Sequence, residues 1–244
     1  MDEKSMQFAN FNITFGENDA PMLKHFSDII FPAFSGDYIR GKRDSVPRYF
    51  FAGVQIKEVD NEYVMVGNFI KETQYKVVTT VQEGVLASTP ADVPTAPYSR
   101  FIVFLKNHRM VLVRNETASP DTRSFQSTVR DILNQYVRNA NRERSERDKL
   151  PIAIANIVDI PLKDSIADVL KNVNKVSWFK LRFFPLNNDL DPGPLTQHIR
   201  EDMKKVGSKT TNIVFNSPNS KDGISKMIAE SSGVAVASLQ IVDN

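Results

Sequence analysis

The hydrophobic pattern of the first half of the chain predicts short strands followed by one long helix. Over residues 8–15 apolar and polar positions alternate, which is typical of a strand with one face in water. Apolar residues at helical spacing predict a helix over residues 20–31. The pattern predicts five further strands, at residues 49–59, 63–70, 75–81, 101–105 and 110–113. Three prolines between residues 89 and 97 indicate an extended surface loop.

A long helix is predicted after residue 119. Ser119 is a suitable N-cap, the following proline suits the first helical position, and Asp121 complements the helix dipole. The buried stripe of this helix is predicted to comprise Phe125, Val129, Ile132, Leu133, Tyr136 and Ala140. We therefore expect a helix with one apolar side and one side that faces solvent.

Strands and helices alternate from residue 151 onwards. The predicted strands are 152–160, 176–184, 210–215 and 234–242, and the predicted helices are 162–173, 195–206 and 221–230. We therefore expect an α+β protein with two domains. Residues 1–149 form an N-terminal mixed or antiparallel sheet with helices, ending in the basic helix, and residues 150–244 form a smaller α/β layer domain. The chain stops directly after its last predicted strand, so we expect this second domain to be truncated.

Composition excludes several classes of protein. The 244 residues contain no cysteine, which excludes disulfides, thiolate metal ligands and a cysteine nucleophile. No apolar run reaches the roughly 18 residues that a membrane-spanning helix needs. Residues 1–7 also lack the apolar core of a secretory signal. We therefore expect a cytoplasmic protein without direct membrane insertion.

Positive charge is concentrated around the long helix, although the net charge of the chain is only +2. Nine of the fourteen arginines lie between Arg100 and Lys149, where eleven cations and six acids leave an excess of five positive charges. Guanidinium is planar, permanently charged and matched to phosphate oxygens. This concentration favours a surface that binds double-stranded DNA through its backbone, with little sequence discrimination.

Three of these arginines share one face of the helix. On a helical wheel, Arg123, Arg130 and Arg138 fall within roughly an 80° arc opposite the apolar stripe, together with Asn134 and Asn141. Further cations, and His108, lie in the preceding hairpin, and a second basic cluster ends the helix predicted at 195–206. The candidate nucleic-acid-binding residues are Lys106, Arg109, Arg114, Arg123, Arg130, Arg138, Lys204 and Lys205.

Ordinary surface charge is the alternative interpretation of these cations. Residues 142–148 contain three oppositely charged pairs at i,i+4, which merely stabilise an exposed helix end. Lysines at the C-terminus of a helix also suit its macrodipole.

Little in the sequence points to catalysis. The three histidines are far apart, and the chain has neither a glycine-rich phosphate loop nor a nucleophile elbow, so we expect no cofactor and no bound metal. Asp44, Gln55 and Lys57 have the order of an Mg²⁺-dependent nuclease site, but an ordinary half-exposed strand also explains Gln55 and Lys57. None of the aromatic residues is arranged like those of a base-stacking sheet. The alternatives to DNA binding are such a nuclease, or a protein-interaction subunit, for example the partner of a membrane effector, that exposes an apolar patch.

Six short phrases occur in the order shown by one protein family. They are Phe101-Ile-Val-Phe-Leu, Met110-Val-Leu-Val-Arg, Ile157-Val-Asp-Ile-Pro, Ile166-Ala-Asp-Val-Leu, Leu181-Arg-Phe-Phe-Pro-Leu and Ile213-Val-Phe-Asn-Ser-Pro. With the order of strands, hairpin and helix, they resemble RexA-like phage-exclusion proteins, and the plan is broadly similar to the DNA-binding B subunit of Kiwa-type defence systems. The resemblance implies a homodimer that binds DNA without strong sequence preference and helps to abort phage infection. It carries over no individual DNA-contacting residue, so the candidate residues rest on the charge argument alone.

Overall fold

The computed structural model describes residues 4–42, 45–82, 84–160, 163–171, 173–186, 193–231 and 233–242. Its strands are β1 (Met6–Phe15), β2 (Ala20–Pro21), β3 (Ile39–Arg40), β4 (Arg48–Val59), β5 (Glu62–Gln82), β6 (Val85–Thr95), β7 (Tyr98–Phe104), β8 (Arg109–Arg114), β9 (Ala153–Asp159), β10 (Lys175–Phe183), β11 (Thr211–Asn216) and β12 (Ala235–Val242). Its α-helices are α1 (Phe31–Ser35), α2 (Thr122–Ala140), α3 (Lys163–Lys171), α4 (Gly193–Lys205) and α5 (Lys221–Ser231). The predicted α+β class is confirmed.

The described strands form one large sheet and one small sheet. The strand order of the large sheet is β2-β1-β8-β7-β5-β4-β3, with β6 paired to β5 and β9 paired to β1. In the small sheet β10 is central, and both β11 and β12 run antiparallel to it.

By its internal contacts the chain divides into two compact units that are each discontinuous in sequence. Unit one comprises Met1–Met6, Phe26–Ile102 and Leu112–Leu150, and unit two comprises Gln7–His25, Val103–Val111 and Pro151–Asn244. The last boundary thus falls between Leu150 and Pro151, while two earlier segments belong to the unit that holds the C-terminal half.

The core of unit one fixes the orientation of α2. Its centre is a group of five phenylalanine rings, namely Phe34, Phe51, Phe69, Phe101 and Phe125. The ring centroid of Phe125, on α2, lies 5.1 Å from that of Phe51 and 5.3 Å from that of Phe69. Val129, Ile132 and Leu133 are fully buried beside it, which confirms the centre of the predicted apolar stripe. With this side held in the core, the opposite side of α2 faces solvent.

The start of α2 differs from the prediction. The N-cap is Asp121, whose side chain accepts a hydrogen bond of 2.8 Å from the backbone N–H of Ser124. Ser119, the predicted cap, is buried, and its hydroxyl donates to the carbonyl oxygen of Tyr98 at 2.7 Å. The prediction was therefore wrong by two residues, because Ser119 closes the loop that precedes the helix.

The helix predicted at residues 20–31 is only partly present. The short strand β2 occupies its start, and a 3₁₀ turn at Met22–His25 and a π-helical turn at Phe26–Ile30 lead into α1. Pro32 stands in the first turn of α1, where a missing N–H is tolerated.

From Ala9 to Phe15 strand β1 is buried on both faces, so its predicted wet face was wrong. Asn10, Asn12 and Thr14 occupy the polar positions of the alternation, and each is 0% exposed. The side-chain N–H of Asn12 donates at 2.8 Å to the carbonyl oxygen of Pro185, which lies 173 residues away in sequence. A polar residue that finds such a partner can be buried at little cost.

Residues 73–95 also differ from the prediction. The two strands predicted at 63–70 and 75–81 are one strand, β5, and the loop predicted at 89–97 is largely strand β6. Pairing between β5 and β4 ends at Glu72, and pairing between β5 and β6 begins at Thr73. Among the described pairings β6 has β5 as its partner, so its prolines stand on an edge strand, where they are tolerated. We call residues 73–82 and 85–95 the β5–β6 arm.

A β-bulge in β10 sets which side chains of unit two are buried. The register against β12 shifts between Val176 and Trp178. Phe179, Leu181 and Phe183 therefore share the inner face with Val176, and they pack against apolar residues of α3, α4 and α5.

Candidate nucleic-acid interface

The solvent-facing side of α2 carries a row of cations. Arg123, Arg130 and Arg138 are exposed, and so is Asn134 between them. At a rise of about 1.5 Å per residue, the three Cα atoms are separated by about 10.5 Å and 12 Å along the helix axis. No acid lies within the arc that they share, and Asp131, outside it, accepts a hydrogen bond of 2.9 Å from the side chain of Gln135. A row of this kind can contact several phosphates of one polyanion.

Asn141 does not extend this row. Helix α2 ends at Ala140, and residues 141–149 form turns instead of the expected helix end. The side chain of Asn141 donates to the carbonyl oxygen of Leu150 at 2.9 Å and accepts from its N–H at 2.8 Å, which closes the turn segment. The i,i+4 pairs expected within 142–148 lose their helical geometry as a result.

Arg114 stabilises the loop that precedes α2. Its guanidinium donates to the carbonyl oxygens of Ser119 and Thr117. Arg114 is half-buried. It belongs to unit one, as do the three arginines of α2.

The predicted hairpin residues of unit two differ in how far their side chains are exposed. Lys106 is exposed. Arg109 is half-buried, its guanidinium donates to the side-chain oxygen of the buried Asn10, and burial lowers its pKa. His108 is 0% exposed and adopts φ +54°, so it belongs to the core of the turn and offers no phosphate contact.

The two candidate lysines of α4 also lie in unit two. Lys205 is exposed and pairs with Asp202 at 3.0 Å; this hydrogen bond and charge raise the pKa of Lys205. Lys204 lines a small cavity of about 130 Å³ whose other lining residues are Asn18, Asp19, Phe184, Pro185, Leu186, Arg200, Met203 and Ser208. Burial lowers the pKa of Arg200 in that cavity, while the nearby carboxylate of Asp19 opposes the shift.

The eight candidates thus divide equally between the two units. Arg114, Arg123, Arg130 and Arg138 belong to unit one, and Lys106, Arg109, Lys204 and Lys205 belong to unit two. The three arginines of α2 are all exposed, and they lie together on one face of one helix.

No contact among the described residues supports the nuclease alternative. Gln55 and Lys57 are exposed on β4, and Asp44 lies outside the described residues. Within the described part of the chain, no group of three histidine, cysteine or acidic residues is placed to hold a metal ion. In the same part of the chain, no helix combines the length and apolarity needed to cross a membrane.

The outward side of β10 was not among the predicted candidate residues. Trp178, Lys180 and Arg182 alternate with the buried residues of that strand and point away from the helices of unit two. The amino group of Lys180 lies 5.5 Å from the centroid of the Trp178 ring. The alternation of the strand was visible in the sequence, but the face on which Trp178 lies depends on the bulge.

Comparison of the chain with protein-family models, with curated proteins and with solved structures finds no match in any of the three.

Proposed function

We propose that the protein binds double-stranded DNA through its phosphate backbone, and that Arg123, Arg130 and Arg138 of α2 make the contacts. The observation that supports this proposal is the row itself: three exposed arginines on one face of one helix, with no acid within the arc that they share. Backbone contacts of this type position a protein on DNA but do not read its sequence. Binding is therefore expected on any duplex.

Three of the other candidate residues already make contacts within the protein. Arg109 and Arg114 donate hydrogen bonds within their own units, and Lys205 pairs with Asp202. Arg109 and Arg114 are also half-buried, whereas the three arginines of α2 are exposed on one face of one helix. We therefore propose the α2 row as the main surface.

The proposed biological role is in anti-phage defence or phage exclusion in the cytoplasm. The likeness of the six phrases to RexA-like proteins supports this role, and non-specific DNA binding is compatible with either a sensor or an effector. Measuring phage plaque formation on cells that express the wild-type chain or the α2 variant described below tests it.

Reversal of two charges on α2 tests the DNA-binding proposal. Arg130→Glu combined with Arg138→Glu removes two phosphate contacts, each a charged hydrogen bond of about 1.5 kcal/mol, so duplex affinity should fall roughly a hundredfold. The plot of log affinity against log salt for three contacts has a slope of about −2.7, and it should become shallower by roughly two units. Fluorescence anisotropy with a labelled duplex at several salt concentrations measures both quantities.

The matched control makes the same change of net charge in the neighbouring turn segment. Arg142→Glu with Arg147→Glu alters two exposed arginines outside the row. This control should bind duplex nearly as well as the wild type. Equal losses in the two double variants would mean that net charge, and not the α2 row, determines binding.

A protein-interaction function is the second candidate, and the β5–β6 arm favours it. Tyr75, Val78, Val81 and Val85 are between 64% and 69% exposed. An isolated two-stranded ribbon is marginally stable in water, so a partner that covers it would stabilise it. We propose a second copy of the chain as that partner. The near-neutral arm, in which Lys76 stands opposite Asp92, is compatible with a self-complementary interface.

A further inference from the structure

Within the described part of unit two, the helices pack on one face of the small sheet. Its inner side packs Phe179, Leu181 and Phe183 against α3, α4 and α5. The strand register places nine residues on the other side, in three rows: Asn216, Trp178 and Gln240; Val214, Lys180 and Ser238; Asn212, Arg182 and Val236. We call these nine residues the open face.

The open face combines an aromatic ring, cations and amides. All three positions contributed by β11 are exposed, as are Arg182, Val236 and Gln240, while Trp178, Lys180 and Ser238 are half-buried. The face carries two positive charges and no acidic residue. Lys180, with its amino group 5.5 Å from the Trp178 ring centroid, already forms a cation–π contact there.

We propose that the open face binds single-stranded nucleic acid. A base stacks on Trp178, Lys180 and Arg182 neutralise the phosphates on either side, and Asn212, Asn216 and Gln240 donate to and accept from base edges. An aromatic residue on the central strand of an open antiparallel sheet is a platform on which unpaired bases stack. From Trp178 to Arg182 the strand extends about 13 Å, which accommodates the two or three bases typical of such sheets.

The chemistry of the face favours single strands over other polyanions. In a duplex the faces of the bases are covered by their neighbours, so Trp178 would have no base to stack on. An acidic peptide would match the two cations but would leave the ring and the three amides without a specific role. Unit two therefore holds a surface that shares no residue with the α2 row, and the proposal does not depend on duplex binding by α2.

The bulge in β10 produces this arrangement. If Ser177 were paired as an ordinary strand residue, strict alternation would place Trp178 on the same side as the buried Val176. The shift turns Trp178 outward, in line with Lys180 and Arg182, and bulges commonly redirect a side chain in this way.

Tryptophan fluorescence reports directly on the proposed contact, because Trp178 is the single tryptophan of the chain. Titration of the full chain with a short oligothymidylate should quench this fluorescence, with a log–log salt slope of about −1.4 for two phosphate contacts. Polyphosphate and polyglutamate, which carry charge but no bases, should leave the fluorescence nearly unchanged. Quenching by these polymers at similar concentrations would identify a general anion surface and overturn the proposal, as would the absence of any quenching by the oligonucleotide.

Variants separate stacking from charge. Trp178→Ala should weaken binding of a labelled oligothymidylate roughly tenfold through loss of one stacked base, whereas Trp178→Phe should retain most of the affinity. Arg182→Ala changes an exposed side chain and should reduce both the affinity and the salt slope. Lys226→Ala is the control, since it removes one exposed cation from α5, on the helical side of the sheet. Equal effects of Arg182→Ala and Lys226→Ala, or unchanged binding by Trp178→Ala, would contradict the proposal.

Discussion

Arg109 and Arg130 have the same predicted role but different surroundings in the folded chain. Arg130 is exposed on α2, whereas the guanidinium of Arg109 donates to a fully buried asparagine, and burial lowers its pKa. Both are arginines without an acid four positions before or after them. Sequence spacing therefore did not separate a surface cation from a partly buried one, because the difference arises from Asn10, which is 99 residues away from Arg109.

Asp121 interacts with residues close to it in sequence, and its role as the N-cap can be tested. Partial burial disfavours its charged form, but hydrogen bonds from the backbone N–H and side chain of Ser124 outweigh this effect, and Arg123 adds to them, so the pKa of Asp121 is lowered. Asp121→Ala should reduce the free energy of unfolding by about 1 kcal/mol, whereas Asp121→Ser, which keeps an N-cap oxygen, should lose less. Urea denaturation measures both variants.

The lowered pKa of Asp121 predicts that the stability of the fold depends on pH. An unfolded aspartate has a pKa of roughly 3.9, and the folded value here is lower, so ionised Asp121 stabilises the fold above that pH. Its contribution declines as pH falls through the folded pKa. The stability difference between the wild type and Asp121→Ser should therefore shrink on acidification below about pH 4. A constant difference across this range would show that the carboxylate charge contributes nothing to the cap.

At the scale of elements, the β5–β6 arm is the feature least explained by the fold of a single chain. It leaves the large sheet at the point where β5 exchanges β4 for β6 as its partner, and its side chains Tyr75, Val78, Val81 and Val85 are exposed. Each strand spans about 33 Å over ten residues and two paired strands are about 9.6 Å wide, so each face of the arm offers roughly 320 Å².

Charged residues in the arm should prevent self-association. Val78→Lys with Val81→Lys changes two residues that are 64% and 69% exposed, so the stability of the monomer should change by less than about 0.5 kcal/mol. The wild type should sediment as a dimer and this variant as a monomer in analytical ultracentrifugation. Val59→Lys with Tyr63→Lys, two exposed residues of β4 and β5 outside the arm, is the control and should remain dimeric. A monomeric wild type, or a dimeric arm variant, would exclude the arm as the interface.

At the scale of the whole molecule, the two units each carry a proposed nucleic-acid surface of different chemistry. The α2 row in unit one offers cations on a convex helix, which suits the outside of a duplex. The open face in unit two offers an aromatic platform, which suits unpaired bases.

The two surfaces should act independently, because they share no residue and belong to different units. Trp178→Ala with Arg182→Ala should change duplex affinity by less than about twofold, since the effects of independent sites add within roughly 0.5 kcal/mol. Arg130→Glu with Arg138→Glu should likewise leave oligothymidylate quenching of Trp178 nearly unchanged. Parallel titrations of both variants with duplex and single-stranded ligands measure this, and a loss of both activities in either variant would indicate one shared site.

The sequence by itself determined the elements whose signal is local. The stripe at Phe125, Val129, Ile132 and Leu133 repeats every three to four residues, so it identified α2, its buried side and the exposed arginines opposite. The alternating strands and helices after residue 151 were recognised for the same reason, and with them the α+β class. Periodicity of this kind reflects the preference of each segment by itself for helix or strand.

Tertiary structure decided what depends on a distant partner. The polar positions of β1 are buried because other strands and Pro185 cover them, Arg109 turns inward because Asn10 is there, and a proline-containing segment becomes β6 because β5 continues beyond the sheet. The outward position of Trp178 follows from a one-residue shift against β12. In each case the free energy comes from a contact between segments far apart in sequence, and no local pattern of apolar and polar residues encodes which segments will meet.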